Sequence, residues 1–449
     1  MALLGREAAA VVPAARVCLR NRDVEHPFRQ DSDFLYLTGF PEPDAVAVLL
    51  PGRREGAYVL FCRPRDPAQE QWTGPRIGPE EARRRYGADE AYPLEELERR
   101  LPALLAGRRE LHAPWGRDEA FDRRLLGWVE RLRGAARAGV QAPAALVDLG
   151  ASLHELRLRK GRAELAMMAR AARVTVAAHR RLMALCRPGM AEHELEAELW
   201  HAFRSAGCVP AYPSIVAGGP RACVLHYTAN DAELRPGELV LVDAGAEHEG
   251  YAADLTRTFP VDGRFTPPQR EIYEVVLQAQ RAALAQVRPG RRWDAPHRAA
   301  VRALTQGLLR LGLLRGRLEE LIRREAYRTY YMHRTGHWLG LDVHDVGGYQ
   351  VDGRWRPLEP GMVLTVEPGL YIPPDATGRA RRWRGIGVRI EDDVVVTRDG
   401  HRVLTEDAPK EPEAVEALMQ RGAAQRGAQR GTQRGTRGGT RGGTRGGGR

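Results

Sequence analysis

The chain has 449 residues, of which 43% are apolar and 28% charged, a balance typical of globular proteins with about two or three domains. Its formal net charge is +11, but residues 421–449 contribute eight arginines and no acidic residue. The remaining 420 residues carry only +3, so composition does not indicate a nucleic-acid-binding protein. No apolar run approaches the ~20 residues of a membrane helix, and five cysteines without CxxC spacing argue against a disulfide framework or a thiolate zinc site. These features predict a cytoplasmic protein.

The first 155 residues predict a small α/β domain. Strand-like patterns separated by Pro/Gly turns occupy residues 34–40 (FLYLTGF), 45–50 (AVAVLL) and 58–62 (YVLFC). Helical spacing of apolar residues follows at 93–107 (PLEELERRLPALLAG) and 121–134 (FDRRLLGWVERLRG).

Residues 156–415 predict an α+β domain with a mostly antiparallel sheet, because helical and strand patterns come partly in blocks. Helical patterns cover residues 164–186, 192–207, 266–287 and 295–314. Strand patterns cover 238–259, which reads as a hairpin, 361–372 and 387–397. The Arg/Gly-rich segment 416–449 has few apolar residues to bury, so we expect a disordered tail.

The hairpin ELVLVDAGAEHEGYAADLTRTF contains two aspartates, Asp243 and Asp254, at equal distances from the midpoint of the turn residues 247–250. They are therefore expected to face each other across the strands. Like charges in that position destabilise a sheet, and a carboxylate among apolar strand residues is costly to bury. A cation between the two would remove both costs. The alternative is a shifted register that turns one aspartate towards solvent.

Three histidines, His333, His337 and His344, lie within twelve residues in YYMHRTGHWLGLDVHDVGG. Four glycines interrupt any helical reading of this segment. The histidines therefore belong to loops or strand ends, where functional sites are usually carried. Any one of them alone would more often be a hydrogen-bonded core residue.

Further charged residues follow on strand patterns: Glu367 ends MVLTV, and Arg389 and Glu391 share one face of GVRIEDDVVVT. Taken singly, they could be a carboxylate at a strand end and a surface ion pair. Together with the two aspartates and one histidine they supply four carboxylates and an imidazole, a set that suits Mn²⁺, Fe²⁺ or Co²⁺ better than a structural Zn²⁺. Four carboxylates exceed the charge of one divalent ion, which predicts a two-metal site that activates water.

The order DAG…D…HxxxHxLGLDVHD…EPG…RIE resembles the catalytic domain of the pita-bread metallopeptidases, the superfamily of methionine aminopeptidase, prolidase, aminopeptidase P and creatinase. The stretches RNRDVEHPFRQDSDFLYLTGFPEPDAV and QEQWTGPRIG are similar to the N-terminal domain of bacterial aminopeptidase P. The resemblance covers roughly residues 10–410. It implies an aminopeptidase P-like domain over 1–155 and a pita-bread catalytic domain over 156–415.

The resemblance also implies residue roles. Two divalent ions, Mn²⁺ before Co²⁺, Fe²⁺ or Zn²⁺, would be bound by Asp243, Asp254, His337, Glu367 and Glu391, with Asp254 and Glu391 bridging the pair. His226, His333 and His344 would orient the scissile peptide and pass protons, and Arg389 and Tyr371 would support the site. Trp72 corresponds to an aromatic residue that reaches the site of a neighbouring subunit in the family; a buried core tryptophan is the alternative. Arg334 stands where the family commonly has glycine.

The implied activity is release of the first residue from peptides with proline second. A metal-bridging hydroxide would attack the X-Pro carbonyl, with Glu367 as general base. The alternative activities are a prolidase that cleaves X-Pro dipeptides and, less in keeping with the complete ligand set, an inactive binding module. The implied partners are proline-containing peptides and further copies in a dimer or tetramer, with weak nucleic-acid contact through the tail.

Overall fold

The computed structural model describes residues 3–438, and of residues 429–438 only the backbone. The chain divides into two compact units, one that ends at Arg157 and one that begins at Leu158. The boundary predicted from the sequence lies two residues earlier.

The N-terminal unit alternates short strands and helices. Its elements are β1 Ala8–Pro13, β2 Leu19–Asn21, β3 Val24–Glu25, α1 Ser32–Thr38, β4 Val46–Leu49, β5 Tyr58–Cys62, α2 Pro67–Thr73, α3 Gly78–Tyr86, β6 Glu90–Pro93, α4 Leu97–Leu105, β7 Glu110–Ala113, α5 Glu119–Gly134, β8 Ala145–Asp148 and α6 Gly150–Leu158.

A mixed six-stranded sheet in the order β6-β5-β4-β1-β7-β8 forms the centre of this unit. Strands β1 and β7 are parallel, whereas β1 and β4 are antiparallel. Along β1 the side chains alternate between two cores, since Val11 packs in one and Ala10 and Val12 in the other. Burial on both faces makes the sheet the framework of the unit and confirms the predicted α/β class.

The predicted strand at 34–40 is wrong, because this segment forms α1. Asp31 accepts a hydrogen bond from the backbone N–H of Phe34 at 2.8 Å, which caps the helix N-terminus. Gly39 ends the helix in the left-handed conformation at φ +64°. Phe34 and Thr38, one helical turn apart, are both buried. Capping and burial therefore override the strand propensity of the aromatic residues, while the strands predicted at 45–50 and 58–62 are confirmed.

The second unit contains longer helices and short strands. Its elements are α7 Arg162–Leu185, α8 Glu192–Ser205, β9 Val209–Pro210, β10 Ile215–Gly218, β11 Leu239–Asp243, β12 Ala246–His248, β13 Tyr251–Ala252, β14 Thr256–Pro260, α9 Pro267–Leu284, α10 Ala295–Arg310, α11 Leu318–Arg323, β15 Gln350–Val351, β16 Arg354–Trp355, β17 Val363–Val366, β18 Gly369–Tyr371, β19 Gly387–Arg389, β20 Asp392–Val396, β21 His401–Val403 and α12 Pro412–Gly438.

The strands of this unit pair in small antiparallel sheets, as expected for the predicted α+β class. The orders are β10-β11-β14, β13-β12-β9, β17-β20-β21 and β18-β19, with β15-β16 as a separate hairpin. One apolar core packs α9 and α10 against β17 and β20, and a second packs α7 and α8 against β10, β11 and β14. This unit contains nearly all of the segment 156–415, for which a catalytic domain is predicted, and its strand ends are free to carry polar residues.

Helix α12 passes through position 416, where the predicted disordered tail begins. Its first turns are fixed because Val415 and Met419, four residues apart, are buried in the same core as α7. A Cβ added at Gly422 would lie 2.2 Å from the carbonyl oxygen of Ala184, so the helix also packs closely on α7. Residues 439–449 lie outside the described part of the chain. The nucleic-acid contact predicted for the tail stays a prediction.

No helix within residues 3–438 is both long and apolar enough to cross a membrane.

A buried ion-pair cluster around Asp33 stabilises the N-terminal unit. Asp33 accepts a hydrogen bond from Arg157 at 2.7 Å and lies 2.8 Å from the Arg117 guanidinium and 3.1 Å from His154. Burial alone would raise the pKa of Asp33, but the hydrogen bonds from His154 and Arg157 and the charges of both arginines lower it from 3.8 to about 2. The ionised carboxylate therefore stabilises the folded unit.

We predict that Asp33→Asn lowers the free energy of unfolding by about 3 kcal/mol at pH 7, because it removes the carboxylate that neutralises buried Arg157. In the wild type, about 2 kcal/mol of stability should be present above pH ~4 and be lost as the pH falls towards 2, since the folded-state pKa lies below the unfolded one. Urea unfolding of both proteins between pH 2 and 7 measures this. Glu119→Gln, which breaks a surface pair with Arg123, is the control and should cost less than about 0.5 kcal/mol. Equal stability of Asp33→Asn and wild type would contradict the prediction.

Candidate metal centre

A cavity of about 770 Å³ in the second unit collects almost all of the predicted site residues. Its walls include His226, Asp243, Asp254, His333, His337, His344, Glu367, Arg389 and Glu391. They come from the segment before β11, from β11 itself, from the segment before β14, from the irregular stretch before β15, and from the ends of β17 and β19. Strand ends that are far apart in the sequence thus bring their polar side chains to the same cavity.

The two aspartates converge, although they do not lie directly opposite each other as the hairpin predicted. Asp243 pairs with Thr256, and Glu247 pairs with Ala252, so the turn is centred on Glu249–Gly250. The predicted register is therefore wrong by one residue at the turn. Asp254 lies two residues from Thr256 and keeps the same face. At 6% exposure it does not face solvent, which also rules out the alternative.

Tyr212 joins the two aspartates and was not predicted from the sequence. Its hydroxyl oxygen lies 2.7 Å from Asp243 Oδ1 and 2.6 Å from Asp254 Oδ1. One hydroxyl proton cannot be donated to both oxygens at once, so the tyrosine holds the carboxylates close without neutralising both. Tyr212 precedes Asp243 by 31 residues in PAYPS, and no local pattern there signals its role.

His337 lies between the carboxylates. Its Nε2 is 3.3 Å from Asp254 Oδ2 and 3.7 Å from Glu367 Oε1. Its Nδ1 donates to the backbone carbonyl of Trp338 at 2.9 Å. In the neutral ring, therefore, the lone pair of Nε2 points to the carboxylates, as a metal ligand requires.

Glu391 completes a group of three potential ligands. One ligand atom from each of Asp254, His337 and Glu391 lies within 4.8 Å of the other two. Thr256 donates to Glu391 Oε2 at 2.6 Å and orients this carboxylate. A single cation can reach all three side chains, with Asp243 and Glu367 bordering the same cavity.

The electrostatics of the protein atoms alone call for positive charge. Burial, and then the charges of Asp254, Glu367 and Asp243, raise the pKa of Glu391 well above its usual value. Burial raises the pKa of Glu367 to about 7, and burial likewise raises that of Asp243. Burial opposes protonation of His337, but the hydrogen bond and the charge interaction with Asp254 raise the pKa of His337 to about 9. Burial would raise the pKa of Asp254, but the same contact with His337 lowers it.

Hard oxygen donors with one imidazole nitrogen are the set expected for divalent ions such as Mn²⁺ or Fe²⁺. Divalent charge here would offset the repulsion among the carboxylates and displace the proton of His337. The residues present therefore fit divalent metal ions.

A hydrogen-bond chain supports the wall next to the ligands. Arg389 donates to Asp243 at 2.6 Å and to the Tyr371 hydroxyl at 3.0 Å. Tyr371 in turn donates to Nε2 of His333 at 2.9 Å, and His333 Nδ1 donates to the carbonyl of Arg334 at 2.7 Å. Burial, together with the charge of Arg389, lowers the pKa of His333 to about 3, so this imidazole is neutral near pH 7.

The remaining predicted residues differ in placement. The ring of His344 lies 4.3 Å from that of His337, centre to centre, and His226 also lines the cavity. Tyr371 lies behind the wall and acts through His333 and Arg389. Trp72 lies on α2 of the N-terminal unit and is 85% exposed, so a buried core position is wrong; it is not among the residues that line the cavity.

Backbone contacts that the sequence did not reveal hold the ligands in place. Asp393 Oδ2 accepts from the backbone N–H of Asp254 at 3.1 Å. Buried Arg257 donates to the backbone carbonyls of Thr256 and Glu391 and to the Asp392 side chain. Strand alternation places Thr256 on the same face as Asp254. This alternation is the one sequence feature from which the role of Thr256 in the site could have been predicted.

Comparison with known proteins finds matches to both units of the chain. The profile of metallopeptidase family M24 matches residues 166–398, and that of the aminopeptidase P N-terminal domain matches residues 1–112. Xaa-Pro aminopeptidase of Escherichia coli is 47% identical over 92% of this chain and 93% of its own length.

Solved structures agree over similar lengths. An aminopeptidase of Pseudomonas aeruginosa is 54% identical with a TM-score of 0.93, covering 94% of this chain and 96% of that one. Aminopeptidase P of E. coli with the inhibitor Pro-Leu is 45% identical with a TM-score of 0.90, covering 94% and 96%.

We predict that Tyr212→Phe weakens divalent metal binding about tenfold, because the two aspartates lose the group that holds them together. Isothermal titration of the metal-free protein with Mn²⁺ measures the dissociation constant. Tyr251→Phe removes a tyrosine–carboxylate hydrogen bond from β13 to Glu164 on α7 and should leave that constant unchanged. Equal affinity of Tyr212→Phe and wild type would remove Tyr212 from the account of the site.

The chain belongs to metallopeptidase family M24, in the branch that carries the aminopeptidase P N-terminal domain, and it is a hydrolase that uses divalent metal ions.

Proposed function

We propose that this M24 metallopeptidase is a Xaa-Pro aminopeptidase, which releases the first residue from peptides whose second residue is proline. The observation that carries the proposal is the convergence of four carboxylates and His337 in one cavity, in a chain whose relatives over more than nine-tenths of its length bear that name. Both units match those relatives, which favours this activity over a prolidase. The inhibitor Pro-Leu bound by the E. coli enzyme has the form of the product left after one residue is removed from X-Pro-Leu.

The proposed cofactor is a pair of divalent ions, with Mn²⁺ first among the candidates. Asp243, Asp254, His337, Glu367 and Glu391 would hold them. The support is the excess of carboxylate charge and the short separation of ligand atoms on Asp254, His337 and Glu391. Bound ions of this kind acidify water near neutral pH and stabilise negative charge on a carbonyl oxygen.

The chain's own residues supply the rest of the reaction. Glu367, at the end of β17, borders the cavity beside His337 and His333, where a carboxylate can take the proton of the attacking water. Neutral His333, fixed by Tyr371, can donate no Nδ1 proton to substrate because that proton is held by the Arg334 carbonyl. Its Nε2 is likewise occupied by the Tyr371 hydroxyl, so His333 would border the peptide through its ring alone. His344 and His226 would then donate to the developing oxyanion.

The position of the cut follows from charge. The protonated amine at the start of a peptide is attracted to the carboxylates that line the cavity. An amine held beside the carboxylates would bring the first peptide bond of the substrate to the metal centre. An aminopeptidase that releases a single residue is the result.

We further propose that the enzyme is a cytoplasmic homo-oligomer in which Trp72 reaches the site of a neighbouring subunit. The 85% exposure of this large apolar side chain supports a partner surface. All five cysteines are free, which supports a reducing compartment.

A peptide panel tests the activity. We predict that the Mn²⁺-loaded enzyme cleaves Ala-Pro-Leu and Ala-Pro-Leu-Ala between the first and second residues and cleaves the dipeptide Ala-Pro at least tenfold more slowly in kcat/KM, because the dipeptide offers nothing beyond proline to bind. Ala-Ala-Leu is the control for the proline requirement, and mass spectrometry of the products reads out each cut. Efficient hydrolysis of Ala-Pro with none of the longer peptides would establish a prolidase instead.

A further inference from the structure

The chain contains 67 arginines and only two lysines, Lys160 and Lys410. Both lysines form ion pairs with buried aspartates. Each of those aspartates directly follows a cavity residue in the sequence, since Asp345 follows His344 and Asp392 follows Glu391. In a chain that uses arginine almost everywhere else, lysine therefore occurs at two places that adjoin the site.

Lys160 has the more completely buried pair. Its Nζ lies 2.8 Å from Asp345 Oδ2, and both side chains are 1% exposed. Its backbone N–H donates to the carbonyl of Gly361 at 2.8 Å, just before β17. Lys160 is thus fixed to the strand that leads to Glu367, and its side chain reaches from there to Asp345.

Asp345 organises the stretch that carries His344. Its backbone N–H donates to the carbonyl of Trp338 at 2.9 Å, and its Oδ1 accepts from the N–H of Asp342 at 3.4 Å. Residues 339–348 contain no helix or strand. Their conformation therefore depends on side-chain contacts of this kind, and His344 directly precedes the aspartate whose carboxylate makes them.

The space around the ion pair suits lysine and excludes a larger cation. A Cβ added at Gly340 would lie 2.2 Å from Asp345 Oδ2 and 2.8 Å from Lys160 Cε. The Gly340 carbonyl also accepts from the N–H of Ala252, two residues before Asp254. A planar guanidinium is larger than an ammonium and would have to displace this glycine or the aspartate.

We propose that Lys160 is a positioning residue: its ammonium holds Asp345 and thereby places His344 in the cavity. The proposal deepens the proposed function, because it rests on the part assigned there to His344. A buried pair that served stability alone would not have to act through His344.

The test is a double-mutant cycle on the full Mn²⁺-loaded enzyme. Lys160→Arg keeps the charge and changes the shape, and His344→Ala removes the group that Lys160 is proposed to position. We expect kcat on Ala-Pro-Leu to fall about 100-fold in His344→Ala and about tenfold in Lys160→Arg, with KM and metal content within twofold of wild type. The double variant should match His344→Ala within twofold, because the two changes act on one group. Arg159→Lys, at the exposed pair with Glu359, is the matched control and should keep the wild-type kcat.

Amide hydrogen exchange supplies a readout that does not depend on activity. Exchange in residues 339–348 should speed up at least tenfold in Lys160→Arg and stay unchanged in Arg159→Lys. Where Lys160→Arg fails to fold, Asp345→Asn, which keeps the side-chain shape, takes its place in the same cycle with the same expectations.

Several results would overturn the proposal: wild-type kcat in the Lys160 variant, a double variant whose loss is the product of the single losses, or a wild-type rate in His344→Ala. An inactive wild type with faster exchange in Lys160→Arg would instead contradict the proposed function and leave the positioning intact.

Discussion

The catalytic unit depends on one electrostatic constraint: four carboxylates and an imidazole lie buried or half-buried around a single cavity. Carboxylates that lose water and lie close together cannot all be ionised unless positive charge is near. Arg389 supplies part of that positive charge, because it forms an ion pair with Asp243. The rest has to come from protons or from metal ions. The pKa of Glu391 is raised because, without a metal ion, burial and the neighbouring carboxylates favour its protonated form. The site is therefore built to be completed by cations.

The surrounding structure keeps these groups in place at a cost in stability that apolar residues would not incur. Antiparallel pairing brings Asp243 and Thr256 together, and Thr256 carries the contact on to Glu391. Tyr212 clamps the two aspartates, while buried Arg257 fixes the backbone at Glu391. A ligand set held in this way is arranged before metal or substrate arrives, which is the preorganisation that catalysis requires.

Much of the site could be predicted from the sequence, because Asp, His and Glu at strand ends and between glycines are unusual enough to stand out. The sequence predicts a turn centred on the middle of residues 247–250, whereas the observed tight turn consists of Glu249 and Gly250. Both residues adopt the left-handed conformation, which the sequence pattern did not reveal. Tyr212 was missed because its partners lie 31 and 42 residues away. The helix at Ser32–Thr38 was missed because its cap and its buried contacts outweigh a strand-like run of aromatic residues.

The most direct test of the central claim is the metal content of the purified enzyme, measured by elemental analysis after equilibration with Mn²⁺ and removal of free ions. The account predicts two Mn²⁺ per chain in the wild type, fewer than one in Glu391→Ala, and no peptidase activity after complete chelation with recovery on adding Mn²⁺ back. Full activity in protein that contains no metal would contradict it.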